Sequence, residues 1–231
     1  KLFEKPRVSW LFILIFSLVM AVLAGFVQFI IYGYVLVIAY TLFHFFFGQK
    51  IIKKAVVWGA LGVVISGFLT LIQTLPFLEL LGISGRVRAY GDVSLMTNFF
   101  IPLPQLLMFL IPDFFGNPAT ANYWGKINYF EFNGYIGIVA LIFVLYLLFA
   151  KRLKKEGWFW LLVVVFSLFL AIENPISALP YSLKIPFLSA FIPARLLFFI
   201  TFALSILVAM GYDDLVKKIK ANKSREVLKP L

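Results

Sequence analysis

The sequence predicts an all-α, polytopic membrane protein, a bundle of about six transmembrane helices with both ends on the cytoplasmic side, and three observations support this. Of the 231 residues 63% are hydrophobic and 13% charged, whereas a soluble domain carries about 25% charged residues. Long uncharged runs recur along the chain. Lysine and arginine gather between alternate runs.

Each span follows from the need for roughly 20 apolar residues to cross about 30 Å of hydrocarbon. Val8 to Phe47 contains no Asp, Glu, Lys or Arg, and one helix of that length would reach about 60 Å. The chain must therefore reverse once, near Gly25 to Gln28, giving spans over 8–27 and 29–47. A third runs over 55–75, with Pro76 as its stop because proline cannot donate to the helix ladder. Three more cover 134–150, 157–172 and 196–212. Together they read as a single transmembrane domain over 1–231, with a long outer loop at 76–133, a second at 173–195 and a cytoplasmic tail at 213–231.

Orientation follows from basic residues, which are retained in cytoplasmic loops. Lys1, Lys5 and Arg7, then Lys50, Lys53 and Lys54, then Lys151, Arg152, Lys154 and Lys155, then the tail from Lys217 to Lys229 fall in alternate segments. These hold sixteen of the 21 basic residues. The opposite side keeps Arg86, Arg88, Lys126, Lys184 and Arg195 in far longer loops. A basic inner rim suits membrane lipids with anionic headgroups. Lys1 is not an initiator methionine and the first run lacks a signal-peptide cleavage pattern, so the sequence reads as part of a longer protein.

Composition also excludes chemistry. The net charge of +11 flanks apolar runs and forms no aromatic-interleaved stripe, which argues against nucleic acid. With no cysteine there is no disulfide or thiolate metal site. The single histidine, His44, cannot build a multi-histidine metal centre and reads as a helix-packing residue. No phosphate-cradling glycine loop, Ser/His/Asp set or zinc-protease motif is present.

Candidate site residues lie in the outer loops. Leu103 to Ile111, between Pro102 and Pro112, reads as a short apolar helix at the membrane interface. Asp113 and Glu131 are the candidate catalytic carboxylates, able to move a proton or bind a sugar. Tyr123, Trp124 and Lys126 follow in a segment of alternating aromatic and polar residues; rings can stack on sugar faces, and they also build the aromatic belt of any membrane protein. Glu79, Arg86 and Arg88 follow the third span, where arginine can grip phosphate bidentately or snorkel. Arg195, just before the last helix and behind Pro193, opposes the positive-inside trend and suits an anion. Gln28, at the first outer turn, could face a cavity or satisfy the backbone there.

Several segments, taken in order, carry a family resemblance: Ala24-Gly25-Phe26-Val27-Gln28, Gln73-Thr74-Leu75-Pro76-Phe77-Leu78-Glu79, Pro112-Asp113-Phe114-Phe115-Gly116, Asn122-Tyr123-Trp124-Gly125 and Gly134-Tyr135-Ile136-Gly137. Phe187 to Arg195 and Met210-Gly211-Tyr212-Asp213 extend it. The chain resembles the bacterial YfhO-like membrane proteins, which are similar to the GT-C glycosyltransferases. The resemblance implies a multi-pass protein of the bacterial plasma membrane that takes a sugar from a polyprenyl-phosphate carrier and transfers it to a cell-envelope glycan outside. It implies a donor phosphate held by Arg195, Arg86 and Arg88 and a hydroxyl activated by Asp113 or Glu131; no protein-bound cofactor follows, and a divalent metal is left open. The chain departs from the pattern at two points. GT-C enzymes carry an acid in the first outer loop and the turn near Gly25 has none, so either that loop lies upstream of Lys1 or the chain is not itself catalytic. Phe26 stands where the family shows histidine. The rival readings are a transporter or flippase for lipid-linked glycans, which calls for ionisable groups or broken helices in mid-membrane, and a non-catalytic assembly subunit.

Overall fold

The computed structural model describes residues 7–47, 53–83, 98–126, 129–185, 189 and 191–227. Among these the chain is all-helical, with no strand; Ile101 and Ile172 form an isolated bridge. Two helical segments, Val27–Phe47 and Pro193–Ala221, are long and apolar enough to cross a membrane, and a bent pair raises the number to three if it counts as one span. Large apolar side chains stand bare on these and on the shorter apolar helices Val8–Leu23 and Ile138–Phe149: Phe45 is 66% exposed, Ile72 81%, Phe16 67% and Phe149 83%. Apolar surface on that scale needs lipid or protein against it.

Chain contacts divide the molecule into two units, Lys1–Ala89 and Tyr90–Leu231. The first holds α1 (Val8–Leu23), α2 (Val27–Phe47), α3 (Lys53–Leu69) and α4 (Leu71–Ile83). A break falls where the reversal was expected: α1 ends at Leu23, capped by Ala24, and Gly25 stands at φ +79° before α2 begins at Val27. Helix α1 packs along α3, where Gly62 lies so close to Leu14 and Leu11 that a Cβ would come within 2.9 Å of Leu14.

Pro76 does not stop the third run. Helix α4 continues through it to Ile83, and the break falls earlier, at Thr70, where the axis turns by 65°. The cause is a ladder of hydroxyls bonding back to the turn before: Ser66 Oγ donates to the Gly62 carbonyl at 2.6 Å, Thr70 Oγ1 to Ser66 at 2.9 Å and Thr74 Oγ1 to Thr70 at 2.9 Å. Such bonds compete with the backbone ladder and bend helices. Pro76 costs α4 one backbone bond, and the helix nonetheless runs on to Ile83.

The second unit holds α5 (Tyr129–Phe132), α6 (Ile138–Phe149), α7 (Lys155–Ala171), α8 (Pro175–Ser182) and α9 (Leu197–Val227), with 3-10 turns at Leu103–Phe109, Pro118–Thr120 and Pro193–Leu196. Helix α9 packs against both α6 and α7. Ala203, Ile200 and Leu207 of α9 are buried with Val144 and Leu147 of α6 and Phe159 and Trp160 of α7. Gly211 admits α6 so closely that a Cβ would meet the Phe143 carbonyl oxygen at 2.6 Å. Here α9 outruns its predicted span, continuing past Tyr212 through the charged segment to Val227.

Leu103–Ile111 was expected as a short apolar helix; the segment forms a 3-10 turn over Leu103–Phe109. At three residues per turn, Gln105 and Met108 eclipse one another and face inward, while Leu103, Leu107 and Leu110 remain exposed. Main-chain bonds hold this loop to the bundle: Ile101 N–H donates to the Ala171 carbonyl at 2.9 Å and Ala194 N–H to Phe99 at 3.1 Å. Phe100 packs edge-on against Tyr181 with ring centroids 5.5 Å apart, and the Tyr181 hydroxyl donates to the Phe191 carbonyl at 2.8 Å. The long loop is thereby fastened to the ends of α7, α8 and α9.

Candidate functional site

The site is built on α5, a single helical turn that carries Tyr129 and Glu131. Two residues apart on a helix means about 200° around the axis, so the two side chains reach to different sides. Glu131 reaches Arg195, which the 3-10 turn before α9 presents. The Arg195 Nε donates to both carboxylate oxygens, at 3.0 Å and 3.2 Å, and Nη2 donates to Oε1 at 2.8 Å. Both side chains are largely withdrawn from solvent, at 13% and 26% exposure for Arg195 and Glu131. A forked guanidinium on a planar carboxylate is directional as well as charged. The two residues had separate expected roles, phosphate binding and proton transfer; the fold makes them one unit.

Tyr129 turns the other way. Its hydroxyl donates to Asp113 Oδ1 at 2.5 Å, and the Asn117 amide approaches the same oxygen at 3.3 Å. Holding its proton against this carboxylate is the main reason the Tyr129 phenol titrates above the ordinary value of 10, with burial adding to the rise and the Asn133 side chain opposing it. Asp113 itself is exposed, so a hydroxyl from solution can reach it.

The loop between these residues is tied by its own backbone. Asn122 Oδ1 accepts from Asn117 N–H at 2.9 Å and from Thr120 Oγ1 at 2.7 Å, and Trp124 N–H donates to the Phe115 carbonyl at 2.9 Å. The crossing is so tight that Gly116, at φ +80°, would drive a Cβ to 2.2 Å from the Asn122 carbonyl oxygen. Trp124, 67% exposed, leans on Phe115 with centroids 4.7 Å apart and beside Phe114 at 6.4 Å. An open indole on the loop that also carries Asp113 and Asn117 is a surface on which a sugar ring can stack.

Behind this surface, Gln105 Nε2 donates to the Tyr123 hydroxyl at 2.9 Å, and that hydroxyl donates to the Lys126 carbonyl at 2.5 Å. Burial raises the Tyr123 phenol above its usual value, the Gln105 bond opposing it. Tyr123 also meets the Tyr129 ring edge-on at 5.5 Å.

Asp113, Tyr123, Trp124, Lys126, Glu131 and Arg195 thus fall within the second unit. Glu79 and Gln28 lie in the first: Glu79 is exposed on α4, and Gln28 is buried, donating through Nε2 to the Tyr32 hydroxyl at 2.7 Å. Arg86 and Arg88 lie outside the described residues. Sequence reasoning took Asn117 and Tyr129 only as members of its aromatic and polar segments, without singling them out, and did not name Gln105. Asn117 carried a legible signal, an Asn before Pro118 that caps the next turn by accepting from Ala119 N–H at 2.9 Å; Tyr129 and Gln105 carried none, since their partners lie 16 and 18 residues away.

No three His, Cys, Asp or Glu side chains are grouped for a metal ion among the described residues. No family model, curated protein or solved structure matches the chain.

Proposed function

We propose that this protein is a multi-pass membrane glycosyltransferase of the GT-C kind, with about six spans and both ends in the cytosol, acting at the outer face of the bacterial plasma membrane on a polyprenyl-phosphate sugar. One observation carries the reading: a single helical turn holds an exposed carboxylate, Asp113, through Tyr129, and a shielded guanidinium, Arg195, through Glu131. In transfer, the acceptor oxygen attacks the anomeric carbon as the bond from that carbon to the phosphate oxygen breaks. The acceptor proton passes to Asp113, and the leaving polyprenyl phosphate keeps the bond's electron pair beside Arg195. Both Glu131 oxygens already accept from Arg195, so Glu131 serves to hold the guanidinium in place rather than as the base. Trp124 supplies the sugar platform.

The test uses the intact protein in lipid with a polyprenyl-phosphate sugar and a glycan acceptor. Asp113→Asn is expected to bind donor and transfer nothing; Arg195→Lys is expected to weaken donor binding about tenfold, because a point charge replaces a fork. Failure of the unmodified protein to bind or consume any such donor, under conditions where a known GT-C enzyme does both, overturns the reading.

The flippase reading has an observation of its own, the 65° break at Thr70 between two apolar helices, since discontinuous helices line transport sites. Translocation of a fluorescent lipid-linked glycan without change in its sugar content would favour it.

A further inference from the structure

One buried polar side chain in the second unit is not explained by packing. Gln105 is 2% exposed on the inward face of the 3-10 turn Leu103–Phe109, where Met108 is fully buried. Its Nε2 donates to the Tyr123 hydroxyl at 2.9 Å, and that hydroxyl donates to the Lys126 carbonyl at 2.5 Å. The direction is forced. A carbonyl has no proton to give, so Tyr123 donates its own to Lys126 and can only accept from Gln105. The amide nitrogen therefore faces Tyr123, and the buried Oε1 is left without a hydrogen-bond partner among the described residues. A stranded acceptor opposes folding, and an apolar side chain of similar shape avoids that penalty. Met108, three residues on, is such a side chain. What glutamine adds at 105 is the donor aimed at Tyr123.

The effect of that donor follows from where its two ends sit. The Leu103–Phe109 turn is the anchored part of the loop: Ile101 N–H bonds the Ala171 carbonyl, Ala194 N–H bonds Phe99, and a Cβ on Gly134 would meet the Phe109 ring at 2.5 Å. Tyr123 belongs to the part that carries the candidate site. Trp124 follows it directly, and the chain folds over its hydroxyl so closely that a Cβ on Gly125 would lie 2.5 Å away. The Tyr123 ring meets the Tyr129 ring edge-on at 5.5 Å, and Tyr129 donates to Asp113. We propose that Gln105 is a positioning residue for Asp113: its amide pins the Tyr123 hydroxyl to the anchored turn, the Tyr123 ring sets the Tyr129 ring, and the Tyr129 hydroxyl sets the carboxylate. The inference rests on the reading of Asp113 as the base, while the chain of contacts can be tested without sugar transfer.

The experiment compares the unmodified full chain in nanodiscs with Gln105→Met, Gln105→Glu and Tyr123→Phe. Each is followed by thermal melting, by a carbon-13 tyrosine titration and by transfer kinetics with a polyprenyl-phosphate sugar and a glycan acceptor. Gln105→Met should melt no lower than the unmodified protein. Its Tyr129 phenol should nonetheless fall back toward the ordinary value as the hold on Asp113 loosens, and kcat should drop on the order of a hundredfold, as for a group misplaced by about 1 Å, with donor KM unchanged. Tyr123→Phe should do the same and the double variant no more, because both changes cut one link. Gln105→Glu should restore transfer at acidic pH, where the introduced carboxyl keeps a proton to give Tyr123, and lose it as that carboxyl ionises. The Tyr123 phenol, raised above 10 by burial, stays protonated throughout. Relative to the unmodified protein, Gln105→Met should show no such pH dependence. An unmoved Tyr129 titration in both Gln105→Met and Tyr123→Phe overturns the proposal whatever the transfer assay gives, and so does unchanged kcat in a protein that transfers. A lowered melting temperature with equal, pH-independent loss in the two Gln105 variants assigns the residue to folding alone and overturns it as well. A shifted Tyr129 titration in a protein that transfers nothing, unmodified or varied, supports the positioning chain and counts against the glycosyltransferase reading instead.

Discussion

Replacing Glu131 by Gln tests the arrangement at α5 most directly. The carboxylate takes three contacts from Arg195 at 2.8, 3.0 and 3.2 Å, and the side chains are 26% and 13% exposed. A fully buried pair broken at one partner loses about 3–5 kcal/mol, and an exposed pair is worth about 0–1 kcal/mol. The intermediate exposure places Glu131→Gln near 2 kcal/mol, about a thirtyfold shift in the folding equilibrium. Arg195→Met should cost a similar amount, and the double variant about the same as either single one, because the second change removes a group already stranded. The coupling in that cycle should be about 1–2 kcal/mol. Denaturation in mixed detergent micelles measures all four proteins. A coupling within about 0.3 kcal/mol of zero would mean that the two side chains are not an ion pair in solution, and the assignment of Glu131 as the residue that holds Arg195 would fall with it.

Other outcomes follow from single contacts. The Tyr129 phenol, raised above 10 by donation to Asp113, stabilises the loop below pH 10, and that contribution is lost as pH climbs through the raised value; Asp113→Asn should bring the phenol back toward 10 in a carbon-13 tyrosine titration, and an unmoved resonance would deny the contact. Gly116→Ala must place a methyl group 2.2 Å from the Asn122 carbonyl at a positive φ, so a loss of about 2 kcal/mol or more and a disrupted Trp124 environment are expected, read by denaturation and tryptophan fluorescence. Lys151→Gly, at φ +51° just past α6, should raise stability in neutral lipid by about 1 kcal/mol through release of the left-handed lysine, and a lower melting temperature would contradict that turn. For topology, a reporter fused after Lys126 should report the exterior and one after Lys155 the cytosol.

How much was legible divides along one line. The six long apolar runs fall on helices because a helix satisfies its backbone hydrogen bonds within its own segment, and that requirement is local. The break near Gly25 was readable from length, since forty uncharged residues exceed what one bilayer-crossing helix needs. The Pro76 stop was misplaced because the bend comes from the hydroxyls of Ser66, Thr70 and Thr74 bonding backwards, a competition that a lone proline outshines in sequence. Asp113, Glu131, Trp124 and Arg195 could be picked out as polar or aromatic residues in the segments between apolar runs, yet nothing in their spacing says which touch.

Sequence alone determined that this chain is helical and apolar, where its runs begin, and on which segments its cations gather, because hydrophobicity and charge are properties of residues taken one at a time. Tertiary structure decided that Glu131 meets Arg195 across 64 positions and that Tyr146 meets Asp214 across 68. Those pairings depend on how α9 packs between α6 and α7 and on where the long loop is fastened, and packing is a property of surfaces that exist only once the chain has folded.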